Sequence, residues 1–585
     1  MVEADTHDTQ SVHAKVVMVD CKISRFCSKV RRLWTPLPDR VCVHTTQNPH
    51  ISKLVLTSII RPILFDGRVM KRYLLLTVFI SGMTTLAAEL AASRLIGTVF
   101  GTSNLVWASI IGLILIYLTL GYFLGGKWAD KDPTPRAMYR VLAWGAFTIG
   151  LVPYFAGPVL KYAASAFQVL NVGVMAGSFI VVLILFSVPI TLLGTISPFA
   201  IRLSMEDTST AGQTSGQIYA ISTLGSFIGT FLPTLVTIPT IGTRLTFLVF
   251  GLLLLVIALI GLAQFASKKE MIKLIWMPAA LVIIALLSAG QSLKNNIGQV
   301  YETESAYNYI QVQEENGYTL LRLNDGQGVH SIYHPDTLLY SGPWEQFSVG
   351  PYFYANRRPQ DVKRMAIVGL AAGTAARQAT AIYGDIHIDG FELDEKIIEV
   401  GEKYFGLNLP NLDVHIGDGR LNLERSQYKY DIIAVDAYRP PYIPPHMTTQ
   451  EFFGIIASHL TPKGVLTINV GSIPGDRRLI YGLATTMATI FPSIHIMDIP
   501  GTLNTMIFAT LQPTTRENFA ANLIALSQDK NTHPLLITTM ASTFANLKDG
   551  YTTTTVFTDD LAPIEWIVND MTVRFVLQGG LEYLQ

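Results

Sequence analysis

Apolar runs follow one another between Tyr73 and Ala289, near Tyr73–Val99, Leu105–Gly125, Val141–Leu160, Val172–Ile201, Ile218–Ile241, Leu245–Phe265 and Leu274–Ala289. A helix needs about 20 apolar residues to cross roughly 30 Å of hydrocarbon. The pattern therefore predicts an N-terminal all-α polytopic membrane bundle of about seven spans. The first run is too long for a cleaved signal peptide, and further spans follow it at once. Composition agrees: the chain is 50% hydrophobic and 15% charged, against about 25% charged in a typical soluble domain. Disorder needs the opposite balance. A formal net charge of +0 gives no basic excess for nucleic acid, and none is expected as a partner.

Small residues crowd the runs, as in Ser81-Gly82 and Gly225-Ser226-Phe227-Ile228-Gly229. The second is a GxxxG pattern that permits close helix approach in lipid. Pro189 and Pro198 are expected to kink or unwind the fourth run. Glu89 and Arg94 lie in the first, where ionisable groups are costly and usually paired or functional. Basic residues precede the first run (Arg61, Arg68, Lys71, Arg72), fill the second loop (Lys127, Lys131, Arg136, Arg140) and recur at Lys268, Lys269 and Lys273. Lysine and arginine in short loops mark the cytoplasmic side. The N-terminus is then cytoplasmic, and an odd number of spans leaves everything after Gly290 outside. Residues 1–69 read as a poorly structured extension that contains all three cysteines, Cys21, Cys27 and Cys42, and an apolar stretch at Leu54–Leu64. The cysteines lack paired CxxC spacing for zinc, and no metal-ligand cluster is visible elsewhere.

After residues 70–292 the composition becomes that of an ordinary globular domain. Alternating runs at Tyr309–Gln313 and Thr319–Leu323 flank Asn316-Gly317, a strong hairpin signal, so residues 300–345 are expected to form a small β subdomain. Over 346–585 short apolar strands alternate with helices: Arg364–Val368, Ile386–Phe391, Leu412–Ile416, Asp431–Val435 and Val465–Val470. That rhythm argues for a parallel doubly wound sheet, with ligands bound outside the carboxyl ends of its strands. The distinctive residues fall there. Gly369 and Gly373 bound a turn that lets backbone approach a ligand, and Glu392 lies nineteen positions after Gly373, near the roughly 20-residue offset of an acid that binds ribose hydroxyls. Asp418-Gly419 and Asp436 end later strands. The alternative is that these acids merely cap helices or turns.

Taken together, the chain resembles the spermidine synthase family, in its membrane-fused branch. The soluble resemblance runs from about Ser305 to Glu565. It rests on Gly369–Thr374, Phe391-Glu392-Leu393-Asp394, Gly417-Asp418-Gly419-Arg420, the stretch Tyr430–Tyr438, Pro444, His446, Thr448–Phe453 and Thr558–Pro563. Ser81-Gly82, Glu89, Arg94, Gly216–Tyr219 and Thr223–Gly225 carry it into the membrane half, and Gly125–Lys131 is similar to a short basic loop of major-facilitator transporters. The resemblance implies a Rossmann-like S-adenosylmethionine-dependent-transferase fold. It further implies transfer of an aminopropyl group from decarboxylated S-adenosylmethionine, as co-substrate, to a polyamine acceptor such as putrescine. By its pattern Asp436 is the general base with Tyr438 beside it, Glu392 binds the ribose, Asp418 the adenine amino group, and Gly369, Gly373 and Gly419 approach the donor.

The chain departs from that pattern at Ala372 and Arg439, where the family carries acids, and Asn308 replaces a glutamine. Guanidinium in place of carboxylate repels a dication unless Glu451 or another acid compensates. S-adenosyl donors are made in the cytosol, whereas the loop charges put the domain outside. Three readings stand: a membrane-bound aminopropyltransferase, a non-catalytic ligand-binding or transport protein with a degenerate synthase domain, and an S-adenosylmethionine-dependent methyl- or alkyltransferase. The lipid bilayer and a small amine are the expected partners, with a homodimer open.

Overall fold

The computed structural model describes residues 67–100, 104–170, 174–205, 207–288, 298–324, 328–438 and 442–577. The readings of residues 1–66, with their cysteines and Leu54–Leu64, and of Arg439 lie outside the described residues. Arg68–Gln585 is one compact unit, and all that follows concerns it. Its first helix begins at the boundary, so residues 67–69 belong to that helix and not to an extension.

The apolar runs form α1 (Gly67–Phe100), α2 (Asn104–Lys131), α3 (Pro135–Leu170), α4 (Val174–Gly194), α5 (Ile196–Ser204), α6 (Ala211–Leu232), α7 (Ile238–Phe265), α8 (Lys268–Leu274) and α9 (Trp276–Leu287). Among the described residues, 6 helical stretches are long and apolar enough to cross a membrane. This differs from the seven runs read in the sequence because two of them lie in one stretch of 55 residues, Ala211–Phe265. That stretch is not straight. Gly242 departs from helical geometry, with φ 79° and ψ 168°, a conformation open to a residue without Cβ. Before it, Gly225 and Gly229 meet Phe79 and Met83 in the same chain sense as α1. Beyond it, Thr243 binds Glu304, whose neighbour Ser305 is bound by Arg94 near the far end of α1, while Ile257 accepts from Tyr73 near its start. The chain therefore turns back at Gly242.

The fourth run divides at Thr195, between its two prolines, and Pro198 in the first turn of α5 has no N–H to bond the Gly194 carbonyl. Pro189 lies inside α4. Gly121 and Gly125 of α2 press on the turn so closely that a Cβ on Gly125 would lie 2.6 Å from the Thr195 Cα. Basic loops gather at one end of the bundle: Arg136 and Lys273 both bind Glu270, at 3.1 and 2.8 Å, and Arg202 approaches Asp130 at 3.4 Å. The opposite end meets the β-rich half. There Arg94 donates to the carbonyls of Ser305, Ala306 and Tyr307, and Glu304 accepts from the Thr243 amide and hydroxyl at 2.8 and 2.7 Å.

Strands β1 (Gln299–Glu304), β2 (Tyr309–Glu315), β3 (Tyr318–Leu323) and β4 (Val329–Tyr333) form an antiparallel sheet in that order. Asn316 and Gly317 both have positive φ, 52° and 85°, as the expected hairpin turn requires. The second sheet contains β5 (Arg364–Val368), β6 (His387–Glu392), β7 (Leu412–Ile416), β8 (Tyr430–Val435), β9 (Leu460–Gly471), β10 (Ser493–Asp498), β11 (Asn504–Thr510) and β12 (Leu547–Lys548), in the order β12-β10-β11-β9-β8-β5-β6-β7. Strands β9, β8, β5, β6 and β7 are parallel. The expectation of a parallel sheet fails beyond β9, where β11, β10 and β12 are antiparallel. A tight connection joins β10 to β11, and a hairpin forces that sense.

Helices α10 (Thr374–Tyr383), α11 (Glu395–Tyr404), α12 (Gly419–Arg425), α13 (Gln450–His459), α14 (Arg478–Ala488), α15 (Arg516–Gln528), α16 (Pro534–Asn546) and α17 (Ile564–Leu577) complete the domain. Alternate residues of the central strands feed two cores. Ala366, Ile433 and Leu466 pack with Phe452 and Ile564, whereas Met365, Ile432 and Val465 pack with Phe347 and Leu536. Both faces of the sheet are thus covered, as parallel strands demand. The order of strands reverses between β5 and β8, which leaves a crevice at their carboxyl ends.

Candidate active site

The turn after β5 is shaped by close approach. Gly369 has φ 90°, and a Cβ there would lie 2.5 Å from the Asp436 carbonyl oxygen, so the turn passes against the next strand end only without a side chain. Its amide donates to the Phe391 carbonyl. Ala371 then presents its amide to Glu392 Oε2 at 2.9 Å, and Asp394 donates to Glu392 Oε1 at 3.1 Å. Burial nevertheless dominates, and the Glu392 carboxyl is pushed up to about 7. Asp394, itself buried, caps α11 and accepts from Ser305 Oγ at 2.6 Å and Asn308 Nδ2 at 2.8 Å. The β subdomain is thereby fastened to the strand end that carries Glu392.

Asp436 follows β8. Its amide donates to the Val368 carbonyl at 2.8 Å, and its Oδ1 accepts from Asn469 Nδ2 at 2.9 Å. Burial raises the carboxyl to about 6, against the opposing effect of that hydrogen bond. The Tyr438 hydroxyl donates to the Asn469 carbonyl at 3.1 Å and not to Asp436, and burial drives it well above its ordinary value. Asn469 thus holds both predicted catalytic residues. It was missed in the sequence, although a lone polar side chain closing the apolar run Val465–Val470 was its visible signal.

Asp418 accepts from Leu421 N at 2.9 Å as the cap of α12, and pairs with His446 Nε2 at 3.1 Å. The capping role weighed against adenine binding is therefore present, with both of its oxygens already engaged. Gly419 packs where a Cβ would lie 2.6 Å from Val368 Cγ1.

A cavity of about 1090 Å³ joins these residues: Gly369, Glu392, Asp418, Gly419, Asp436 and Tyr438 all line it. Gly373 does not; it caps α10 behind the turn, against Leu407. Ala372 is likewise outside the cavity, fully buried with Ile310, Ile397 and Phe405, and Ala371 faces it instead. Nor does Glu451 line it; its Oε2 accepts from the Asp559 amide. From the bundle, Leu90, Ser93, Arg94, Trp107 and Thr234 form part of the wall. Two acceptor oxygens of cavity-lining residues, Asn469 Oδ1 and Glu565 Oε2, are shut off from solvent without a hydrogen-bond partner among the described residues.

Residues 357–522 match the family described as Spermine/spermidine synthase domain. A Bifidobacterium longum protein named "Probable polyamine aminopropyl transferase" is 32% identical over 278 residues, 45% of this chain and 61% of its own. The chain thus spans less than two thirds of that relative. A Vibrio vulnificus protein named "Polyamine aminopropyltransferase" is 28% identical over 35% of this chain and 70% of its own. Among solved structures, a probable spermidine synthase from Corynebacterium glutamicum aligns over 45% of this chain and 100% of its own, at 18% identity and a TM-score of 0.34. Within the C-terminal half, residues 357–522 thus match a spermine/spermidine synthase domain.

Proposed function

We propose that the chain is a membrane-bound aminopropyltransferase that moves the aminopropyl group of decarboxylated S-adenosylmethionine to a polyamine acceptor of the putrescine kind. The observation that carries this reading is Asp436: a buried carboxylate raised to about 6, held by Asn469 and sharing a cavity with Glu392 at the switch point of the sheet. An aliphatic amine has a pKa near that of lysine, about 10.4, so it binds as a cation and must lose a proton before it attacks. Asp436 holds the cation and takes the proton. The amine lone pair then forms a C–N bond to the carbon beside the sulfonium, and the C–S bond breaks with its electrons going to sulfur as a neutral thioether. Glu392 accepts from the donor's ribose hydroxyls, and the turn at Gly369–Ala371 passes over it, so that donor and amine are held in line. The apolar helices of the bundle anchor the site to the bilayer.

Asp436→Asn keeps the shape of the side chain and removes the base. In the full chain purified in detergent, turnover with putrescine should fall by about 10²-fold or more, while donor binding measured by calorimetry stays within about threefold. Unchanged turnover would refute the role of Asp436. One observation favours a second reading: the turn shows Ala371, not an acid, to the cavity, leaving room for the carboxylate of intact S-adenosylmethionine. Tighter binding of the intact donor than of the decarboxylated one would favour methyl or alkyl transfer.

A further inference from the structure

Helix α3 carries a stripe at helical spacing: Arg136, Arg140 and Trp144 follow one another four residues apart and share one face. A second stripe, Lys273 and Trp276, meets it where α8 passes into α9. The two are joined at both ends. At one end the buried Glu270 carboxylate accepts from Arg136 at 3.1 Å and from Lys273 at 2.8 Å. At the other, Trp144 and Trp276 meet edge to face at 6.3 Å, and Phe147 packs against both, at 6.0 and 5.2 Å. Arg140 stands between, one helical turn from Arg136 and one from Trp144.

The charges within this frame do not balance. Arg136, Lys273 and Arg140 all act on one carboxylate, which leaves a surplus of positive charge. Arg140 is exposed and, among the described residues, makes no hydrogen bond or ion pair. Asp130 and Asp132, close by in the chain, answer Arg202 and the Thr134 hydroxyl instead. Lys273 gives Glu270 one of its three donors. Both indoles are fixed by their ring contacts yet open on one side, Trp144 43% and Trp276 48% exposed, and Ile272 and Ile275 beside them are exposed as well. A guanidinium without a counter-ion next to open indoles is the complement of a phosphate joined to an apolar chain. Indoles settle at the level of lipid headgroups, and arginine takes two phosphate oxygens in its planar fork. A free phosphate would use the cations and leave the indoles and isoleucines uncovered, so the ligand is a phospholipid of the bilayer.

We propose that Arg140, Lys273, Trp144 and Trp276 form a binding site for one anionic phospholipid, its phosphate between the two cations and its glycerol–acyl boundary against the indoles. The proposal rests on the bundle crossing a bilayer and is independent of the transfer reading. Glu270 does not touch the lipid; it holds Arg136 and Lys273 in place, so the frame is formed before the lipid arrives.

The test uses the full chain in detergent, with retained lipid counted by native mass spectrometry. The probes are dioleoylphosphatidylglycerol, dioleoylphosphatidylcholine and inorganic phosphate. One phosphatidylglycerol should be held at least about tenfold more tightly than phosphatidylcholine, and excess inorganic phosphate should not displace it. Arg140→Gln should weaken phosphatidylglycerol about fivefold or more, with phosphatidylcholine binding and melting temperature as in the native chain, and Arg140→Lys should recover part of the loss. Lys127→Gln, which removes a positive charge from α2, should leave phosphatidylglycerol binding unchanged. Equal retention of the two lipids, or unchanged phosphatidylglycerol binding in Arg140→Gln, overturns the proposal. An equal loss in Arg140→Gln and Lys127→Gln also overturns it, by reducing the attraction to overall charge. Displacement by inorganic phosphate does so by showing a site for free anions. A chain that stays in solution without detergent overturns the membrane reading, and this proposal with it.

Discussion

Asp436 and Glu392 owe their chemistry to burial more than to neighbours, and that has a sign. A carboxyl raised by burial is protonated over a wider range of acid pH, and a protonated Asp436 cannot accept a proton. With donor saturating, kcat/KM for the acceptor should fall about tenfold per pH unit below about 6 and level off above it. A limb near the ordinary carboxylate value would mean that water reaches Asp436 freely. These two acids were legible in the sequence because each ends an apolar strand, where a charge has no reason to be unless a helix cap or a ligand needs it. Asp418 has the same signature, and the cap accounts for it. Asn469 and Glu565 were harder to read. The first is uncharged, and the second begins a helix, where a glutamate is ordinary; only the tertiary fold brings it to the cavity wall.

At the scale of elements, the glycines of α6 set how near it lies to α1. A Cβ on Gly225 would lie 2.0 Å from the Phe79 carbonyl oxygen, whereas one on Gly216 of the same helix meets nothing within 4 Å. Gly225→Ala should therefore cost about 1–3 kcal/mol, seen as a lower melting temperature in detergent. Gly216→Ala should be neutral, or stabilise by up to about 1 kcal/mol. Equal shifts in the two variants would show that the helices do not pack as described. The hairpin and the five parallel strands followed from local patterns, Asn-Gly and alternating apolar runs. The antiparallel edge did not, because β10 and β11 are as apolar as the strands beside them and their sense depends on a short connection. The break at Thr195 follows from Pro198, whereas the close approach of α2, which is remote in sequence, was not legible.

For the whole molecule, the ion pairs of Glu270 gather the basic loops at one end of the bundle, and the β-rich C-terminal half meets the other. If loop charge sets orientation, a reporter fused after Gln585 should report from outside the cytoplasm. The donor would then have to be supplied on that side. A cytoplasmic signal would instead show that the basic end faces outward and that loop charge misleads here. The bundle also shapes the cavity. Arg94 and Thr243 hold the segment Glu304–Tyr307, Ser305 from that segment grips Asp394, and Asp394 donates to Glu392, while Trp107 and Leu90 face the reaction space. Cutting the chain near residue 298 to obtain a convenient water-soluble fragment would therefore remove one wall of the cavity and the tether of Glu392. Screens for substrates or inhibitors run on such a fragment would describe a different, leakier catalyst.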